Sequence, residues 1–319
     1  MRRDAITRRY ATALVGAGMC LARSAGAAEG VSSTSPVGPI PPSPSSYTPP
    51  DTVSAVRDLY RRMSVPVRVN GQGPFPFVVD TGANRTVISR ELATQLGLPV
   101  GSPASVNGVA GIQMALTTSA RLDVGARHHL DAPLLIFPQD DIGGPGLLGL
   151  DDLDGQAVTL DFRLQTLRVE PGRQLAMDAR AITLGARRRS GQLTFVDAAL
   201  DGQRLTAFMD TGADSTIGNL ALRAKAANRE PDRLSFHTSI MSATGQTIEG
   251  EIADLPRLRI GRLTLSTWPV TFADLHTFRM WNMIDKPALL LGVDVLSRFD
   301  YVCLDFARNQ VRFRLPQTT

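Results

Sequence analysis

The chain has 319 residues, enough for two domains at roughly 150 residues each, and its 43% apolar and 20% charged composition is that of a globular protein, which excludes disorder along most of its length. The formal charge of +4 arises in residues 1–27, where Arg2, Arg3, Arg8, Arg9 and Arg23 face a single acid, Asp4. Setting aside those five of 34 basic and one of 30 acidic side chains leaves 29 of each, so no global field gathers phosphates and nucleic acid is not expected as a partner.

Thirteen uncharged residues, Tyr10 to Ala22, follow the arginine-rich start and precede the small-residue run Ala25-Gly26-Ala27-Ala28. This is the three-part form of a secretory signal peptide, read here over residues 1–27, and it implies a periplasmic or secreted protein. Thirteen residues are too few for a bilayer, which needs about 18 to 20, and no membrane span is expected elsewhere. Thr7-Arg8-Arg9 leaves export by the twin-arginine or the general route open. Cys20 stands where a lipid-anchor cysteine would, but Met19 before it is larger than the small residue such a site needs. Removal of the signal leaves Cys303 as the one cysteine, so no intramolecular disulfide can form and the core must hold the fold together. Cys303 lies in the apolar run Tyr301-Val302-Cys303-Leu304 and reads as a packing residue rather than a nucleophile. The histidines His128, His129, His237 and His276 show no metal-ligand spacing, and neither metal nor cofactor is expected.

Residues 28–55 are rich in Pro, Ser, Gly and Thr, including Pro39-Ile40-Pro41-Pro42-Ser43-Pro44, and read as a linker without a core of its own. Beyond it the chain repeats itself. Phe77-Val78-Val79-Asp80-Thr81-Gly82-Ala83 recurs as Ala207-Phe208-Met209-Asp210-Thr211-Gly212-Ala213, with Thr86 and Thr216 six residues past each aspartate. Gly146-Leu147-Leu148-Gly149-Leu150-Asp151 answers to Leu289-Leu290-Leu291-Gly292-Val293-Asp294, and Leu160-Asp161-Phe162 to Leu304-Asp305-Phe306. The order is the same in both copies, which marks a duplication with units at 56–175 and 191–319 and a connection at 176–190. From aspartate to the Leu-Leu-Gly glycine the second unit spans 82 residues against 69, with the excess largely around Leu275 to Pro287.

Within each unit the local pattern predicts short β-strands. Pro66-Val67-Arg68-Val69, the Asn70-Gly71 turn and Phe75 to Val79 form a hairpin leading into Asp80. Ser89 to Leu96 is the clearest helix, capped by Ser89 and stopped by Gly97. The fold class is therefore all-β with short helices, since a parallel α/β sheet needs a helix after nearly every strand.

Each aspartate ends an apolar strand, where a lone buried carboxylate is costly, and the following glycine allows a close turn. Two such loops can meet across a pseudo-twofold axis. Two carboxyls in contact cannot both ionise easily and share one proton; the charged member then polarises a water while the protonated one hydrogen-bonds a carbonyl under attack. Equivalent structural turns inherited by duplication are the alternative.

Asp-Thr-Gly-Ala followed by Leu-Leu-Gly resembles the aspartic peptidases of the retropepsin branch, over nearly the whole chain beyond the linker. The resemblance implies two closed β-barrel lobes with the active site between them, and an extended peptide or protein as substrate. By it Asp80 and Asp210 are the catalytic dyad, Thr81 and Thr211 lock the two loops, Gly82 and Gly212 allow close approach, and the Leu-Leu-Gly strands cross beneath. Ala83, Asn84, Ala213 and Asp214 then fall in the substrate-binding cleft, whose halves differ in polarity because Asn84 answers to Asp214. Covering hairpins are expected at Val106 to Gln113, with Gly108 and Gly111, and at Ser242 to Thr247, with Gly245. Both units lie in one chain, so a monomer suffices, although pairing of lobes from two chains would give a homodimer. Leu150 and Val293 stand where viral enzymes have an arginine, so that support is missing.

Other motifs are weaker. Gly144-Pro145-Gly146-Leu147-Leu148-Gly149 fits a dinucleotide fingerprint but opens no helix and lacks a counterpart in the second unit. Arg187-Arg188-Arg189 reads as a solvated loop. Phe278, Met280, Trp281 and Met283 either line a pocket or pack the longer loop onto the core. Two functions follow: an exported aspartic endopeptidase, or a catalytically silent peptide-binding module on the same scaffold. Two intact aspartates favour the first.

Overall fold

The computed structural model describes residues 13–15, 51–58, 61–151, 155–172, 175–189, 192–227 and 235–316. Most of residues 1–50, where a signal peptide and a linker are expected, lie outside them, apart from a short strand Ala13–Val15 that pairs in parallel with Ser235–Ser242. No helix among the described residues is long and apolar enough to cross a membrane.

The architecture is mostly β, with two closed six-stranded barrels in tandem. In the first, the strand order is Met63–Val69, Gln72–Val79, Gly146–Leu148, Val87–Ser89, Arg127–Phe137 and Ile112–Val124, and Val67 to Val69 pairing with Val124 to Leu122 closes the ring. The second repeats that order with Gln192–Leu200, Gln203–Met209, Ala288–Leu291, Ile217–Gly218, Leu263–Phe272 and Thr247–Ile260, closed by Ala198 to Leu200 on Ile260 to Leu258. Closure leaves neither barrel a free edge.

The strand entering each aspartate loop is apolar on both faces for a reason the period of two makes plain. Phe77 and Val79 point into the barrel core, as do Ala207 and Met209. Val78 and Phe208 point the other way, into two separate apolar clusters on the cleft side. Asp80 and Asp210, one step past the last barrel-facing residue, fall on the cleft side. The first hairpin turns at Asn70 and Gly71, both at positive φ (51° and 78°), as a two-residue primed turn requires.

A third sheet joins the barrels. Its strands run Asp51–Ser54, Thr166–Pro171, Gln156–Asp161, Tyr301–Asp305, Gln310–Arg314 and Ala181–Arg189, all antiparallel. At its centre Ala157 faces Asp305, Thr159 faces Cys303 and Asp161 faces Tyr301. Since Asp161 is the repeat equivalent of Asp305, and Ala157 of Tyr301, this register maps onto itself on exchanging the units, and the pseudo-twofold axis passes between Thr159 and Cys303. The Cys303 thiol is buried there with its pKa pushed up to about 11 by desolvation, which suits packing and not nucleophilic chemistry. One apolar cluster runs from the first barrel through this sheet to the second.

Two expectations change. Arg187-Arg188-Arg189 is not a loop: it ends the strand Ala181–Arg189, paired with Gln192–Leu200 on one side and Gln310–Arg314 on the other, because the connection between units is itself used as sheet. Asp51–Ser54, placed in the linker by composition, is the outer strand at the other end of that sheet. It covers the Gly125 turn, where a methyl on Gly125 would lie 2.6 Å from Asp51 Oδ1 and from a Val53 methyl.

A chain starting at Arg57 therefore loses the buried Val53 and an edge ladder. Relative to one starting at residue 50 it should melt roughly 3 to 10 °C lower, as thermal denaturation followed by circular dichroism would measure.

Candidate active site

The two aspartate loops meet at the axis and are tied by reciprocal hydrogen bonds. Thr81 Oγ1 donates to the Met209 carbonyl (3.1 Å) and accepts from the Thr211 amide (3.1 Å). Thr211 Oγ1 donates to the Val79 carbonyl (2.6 Å) and accepts from the Thr81 amide (3.1 Å). Both threonines are buried, so each hydroxyl uses its donor and an acceptor position on the opposite lobe. The glycines permit the approach: a methyl on Gly82 would lie 2.6 Å from the carboxyl carbon of Asp210, and one on Gly212 2.5 Å from that of Asp80.

Within each loop the inner carboxyl oxygen is fixed by backbone. Asp80 Oδ1 accepts from Gly82 and Ala83 amides (2.8 and 3.1 Å), and Asp210 Oδ1 from Gly212 and Ala213 (2.9 and 3.1 Å). The outer oxygens, both buried, receive no hydrogen bond from a donor among the described residues. Burial raises the pKa of Asp80 to about 6, against the lowering effect of the amides, of Asp210 and of Arg62. Asp210 is raised well above the usual carboxylate range by burial and by the charge of Asp80. The pair thus holds one proton over a range in which ordinary carboxylates are fully ionised.

The Leu-Leu-Gly strands brace the loops from behind. Asp80 and Asp210 amides donate to Leu148 and Leu291 carbonyls (2.9 and 3.0 Å), and Leu150 and Val293 amides to Ala83 and Ala213 carbonyls (both 2.9 Å). A methyl on Gly149 would lie 2.6 Å from the Arg85 carbonyl carbon, and one on Gly292 2.5 Å from that of Ser215. Thr86 Oγ1 accepts from the Gly149 amide (3.1 Å) and donates to Asp151 (2.5 Å). Thr216 does the same between Gly292 (3.1 Å) and Asp294 (2.8 Å), with Trp268 Nε1 also donating to Asp294 (3.1 Å). The repeat carried these four residues as matched markers without showing their role.

Of the other expected residues, Ala83 and Ala213 are buried in the loops, while Asn84 and Asp214 are half-buried beside them. Ser215 Oγ donates to Asp214 (2.9 Å). The expected hairpins turn at Asn107 to Gly111 and at Ser242 to Gln246. Gly111 and Gly245 hold positive φ (148° and 76°). Gly108 packs on Thr244 and Gly245 on the Asp141 carboxylate, and Gln113 Nε2 donates to the Thr244 carbonyl (3.1 Å). The tips thus meet each other across the axis. Each also enters the opposite lobe. Val109 is fully buried in the second lobe's cluster with Ala213, Phe278 and Trp281, and Ala243, its counterpart two residues before the glycine, is buried in the first lobe's with Val78 and Ile142.

The longer segment of the second unit supplies much of that difference. It carries the helix His276–Met280, whose first amide donates to the Val109 carbonyl (2.6 Å), and Trp281 stacks on Phe208 at 3.9 Å between centroids. Phe278, Trp281 and Met283 are buried, and Met280 packs against them, so the cluster joins the loop to the cleft-side face of the barrel.

A family model described as gag-polyprotein putative aspartyl protease matches residues 65–154, and one described as aspartyl protease matches residues 196–295. No curated protein matches the chain.

The raised carboxyls have a thermodynamic consequence. A carboxyl whose folded pKa lies above its unfolded value contributes stability that is complete below about pH 4 and declines as pH rises through the folded pKa. Asp80→Asn and Asp210→Asn remove that decline. Each variant should melt close to wild type at pH 4 and roughly 2 to 6 °C above it at pH 7, measurable by calorimetry at the two pH values.

Proposed function

We propose that this chain, which belongs to the aspartyl proteases of retropepsin type with two units fused in tandem, is an exported endopeptidase that uses Asp80 and Asp210 on extended peptide substrates. The observation that carries this reading is the pair of buried carboxyls, each with its inner oxygen held by two amides and with no hydrogen-bond partner for its outer oxygen among the described residues. An arrangement serving only to hold the loops would fill the outer oxygens too, since an unsatisfied buried carboxyl is costly. Export is supported by the three-part composition of residues 1–27.

The chemistry requires one proton on the pair. The ionised carboxylate takes a proton from a water as its oxygen bonds to the peptide carbonyl carbon, and the protonated partner gives its proton to the carbonyl oxygen. A tetrahedral diol results. When the carbon–nitrogen bond breaks, the first carboxyl returns its proton to the leaving nitrogen, and a diol hydroxyl reprotonates the second. Both carboxyls end as they began. Water is the nucleophile throughout, so no covalent enzyme intermediate forms. The hairpin tips, with Gly108, Gly111 and Gly245, lie over the cleft and must part to admit a peptide. Ala83, Asn84, Ala213 and Asp214 then contact it beside the dyad.

Cleavage of a diverse peptide mixture by the mature protein tests the reading, with a statine-type transition-state mimic as inhibitor. Asp80→Asn and Asp210→Asn should each lower turnover by at least about a thousandfold, and the double variant should lose little more than either, because the two act as a unit. Near wild-type turnover in either single variant would refute the dyad.

The working pH follows from the donors. Ala83 and Ala213 lack a side-chain hydroxyl, so only their amides help to stabilise the carboxylate, and the one-proton state extends to higher pH than it would with hydroxyl donors. The optimum of kcat/KM should lie in the mildly acid to near-neutral range. Ala83→Ser with Ala213→Ser adds donors to the charged form, and the acid limb should move down. A strongly acid optimum in the wild type, or a stationary acid limb in the double variant, would show that these residues do not set the working pH.

A further inference from the structure

The repeat puts different residue types at equivalent positions before the two aspartates: Arg62 precedes Asp80, and Gln192 precedes Asp210, by the same interval. In the first lobe Ser64 pairs with Val78 on antiparallel strands, which sets Arg62, just before the first of these strands, at the end of the barrel where Asp80 follows the second, and the Arg62 charge acts on Asp80 there. A position that a symmetric homodimer would fill identically thus carries arginine in one unit and glutamine in the other.

Arg62 is held as a fixed charge. Its side chain is 1% exposed, Nε contacts Asp58 Oδ2 at 2.7 Å, and its amide donates to Asp58 Oδ1 at 2.8 Å. Its terminal nitrogens lie 3.4 Å from the carbonyl oxygens of Ile142 and Gly143. Asp58 is more exposed than Arg62, so the carboxylate lies toward solvent and the guanidinium inward, where the lower dielectric extends its influence. The charged groups acting on Asp80 are Asp210 and Arg62, and burial and Asp80 dominate at Asp210.

Building on the peptidase reading, we propose that Arg62 is a positioning residue for the dyad's proton: it makes Asp80 the ionised member that receives the proton of the attacking water, and leaves Asp210 the protonated member that donates to the substrate carbonyl. The cation stabilises a negative charge at the nearer carboxyl more than at the farther one. Burial and the contact between the two carboxyls act on both, and Arg62 adds a stabilisation of the charged form at Asp80. The water therefore approaches with a defined orientation, its proton toward the first lobe and the peptide carbonyl oxygen toward the second.

The test is the pH profile of kcat/KM for Arg62→Met, Arg62→Lys and Gln192→Arg. Arg62→Met should raise the acid limb by about half a pH unit or more, with a smaller movement of the base limb, and Arg62→Lys should restore the acid limb toward wild type. Gln192→Arg should lower the base limb more than the acid limb, and it decides the matter if Arg62→Met fails to fold. A loss of rate in Arg62→Met with both limbs unmoved would mark a structural role, and unmoved limbs in Gln192→Arg would equally overturn the proposal. Carbon-13 NMR of the aspartate carboxyls in the wild-type protein gives a readout independent of turnover, with signals assigned by their loss in Asp80→Asn and Asp210→Asn. Asp80 should ionise first, and Asp210 ionising first would overturn the assignment. Absence of cleavage by the wild type would sink the peptidase reading, while the carboxyl titration would still locate the proton.

Discussion

The crossed threonine bonds at the axis are the constraint on which the site depends. Two buried carboxyls repel one another when both are charged, and burial alone gives no reason for their loops to approach. Thr81 and Thr211 supply one: each hydroxyl replaces a partner that the opposite backbone would otherwise lack, so separating the lobes strands a carbonyl and an amide on each side. Leaving such groups unpaired costs about 1 to 3 kcal/mol each. The glycines then become obligatory, since the spacing set by the threonines leaves no room for a Cβ beside the opposite carboxyl. Charge sharing follows from that distance.

The inter-lobe sheet serves the same axis from the far side of the molecule. Its central pairing of Thr159 with Cys303 lies on the axis that relates the aspartates, and the common apolar cluster resists hinging between the barrels. With both units on one chain, assembly of the dyad carries no translational cost, unlike a homodimer whose site exists only at concentrations above its dissociation constant. The fusion also frees the two units to differ, and they do so in side chains and in the longer segment of the second unit with its helix His276–Met280. The barrels keep one strand order and one set of polar braces, while Val78 answers to Phe208, Val109 to Ala243 and Arg62 to Gln192.

Much of this was legible in the sequence where local chemistry determines local shape. The Asn70-Gly71 turn and the Ser89 helix cap required no partner from elsewhere in the chain, and Ser89 Oγ indeed accepts from the Leu92 amide at 3.0 Å, with Gly97 at φ 62° ending the helix. Family-model matches in both halves agree with the repeat read from Asp-Thr-Gly-Ala. Contacts between units were not legible. Asp51–Ser54 has too few residues to display a period, and its proline-rich approach masks a strand formed entirely by its partners. Arg187 and Arg188 are exposed on a strand as they would be on a loop, so composition does not tell the two apart. Nor was Arg62 legible, since burial of an arginine follows from tertiary register and not from composition.

The distribution of these differences follows from what each kind of contact tolerates. Backbone-to-hydroxyl braces such as Thr86 to Gly149 and Asp151 have fixed lengths and unpaired alternatives that are costly, so both units keep them. Apolar clusters require volume, which neighbouring side chains supply jointly. In the second lobe Phe208, Trp281 and Val109 fill together what Val78, Ile142 and Ala243 fill in the first, and the longer segment ending near Pro287 provides the added bulk. A substitution of the first kind breaks the position of a carboxyl, and one of the second changes the shape of one lobe's apolar face while the carboxyls stay in place. The position of the carboxyls and the shape of the faces beside them thus rest on different sets of residues, and a duplicated chain can alter one without disturbing the other.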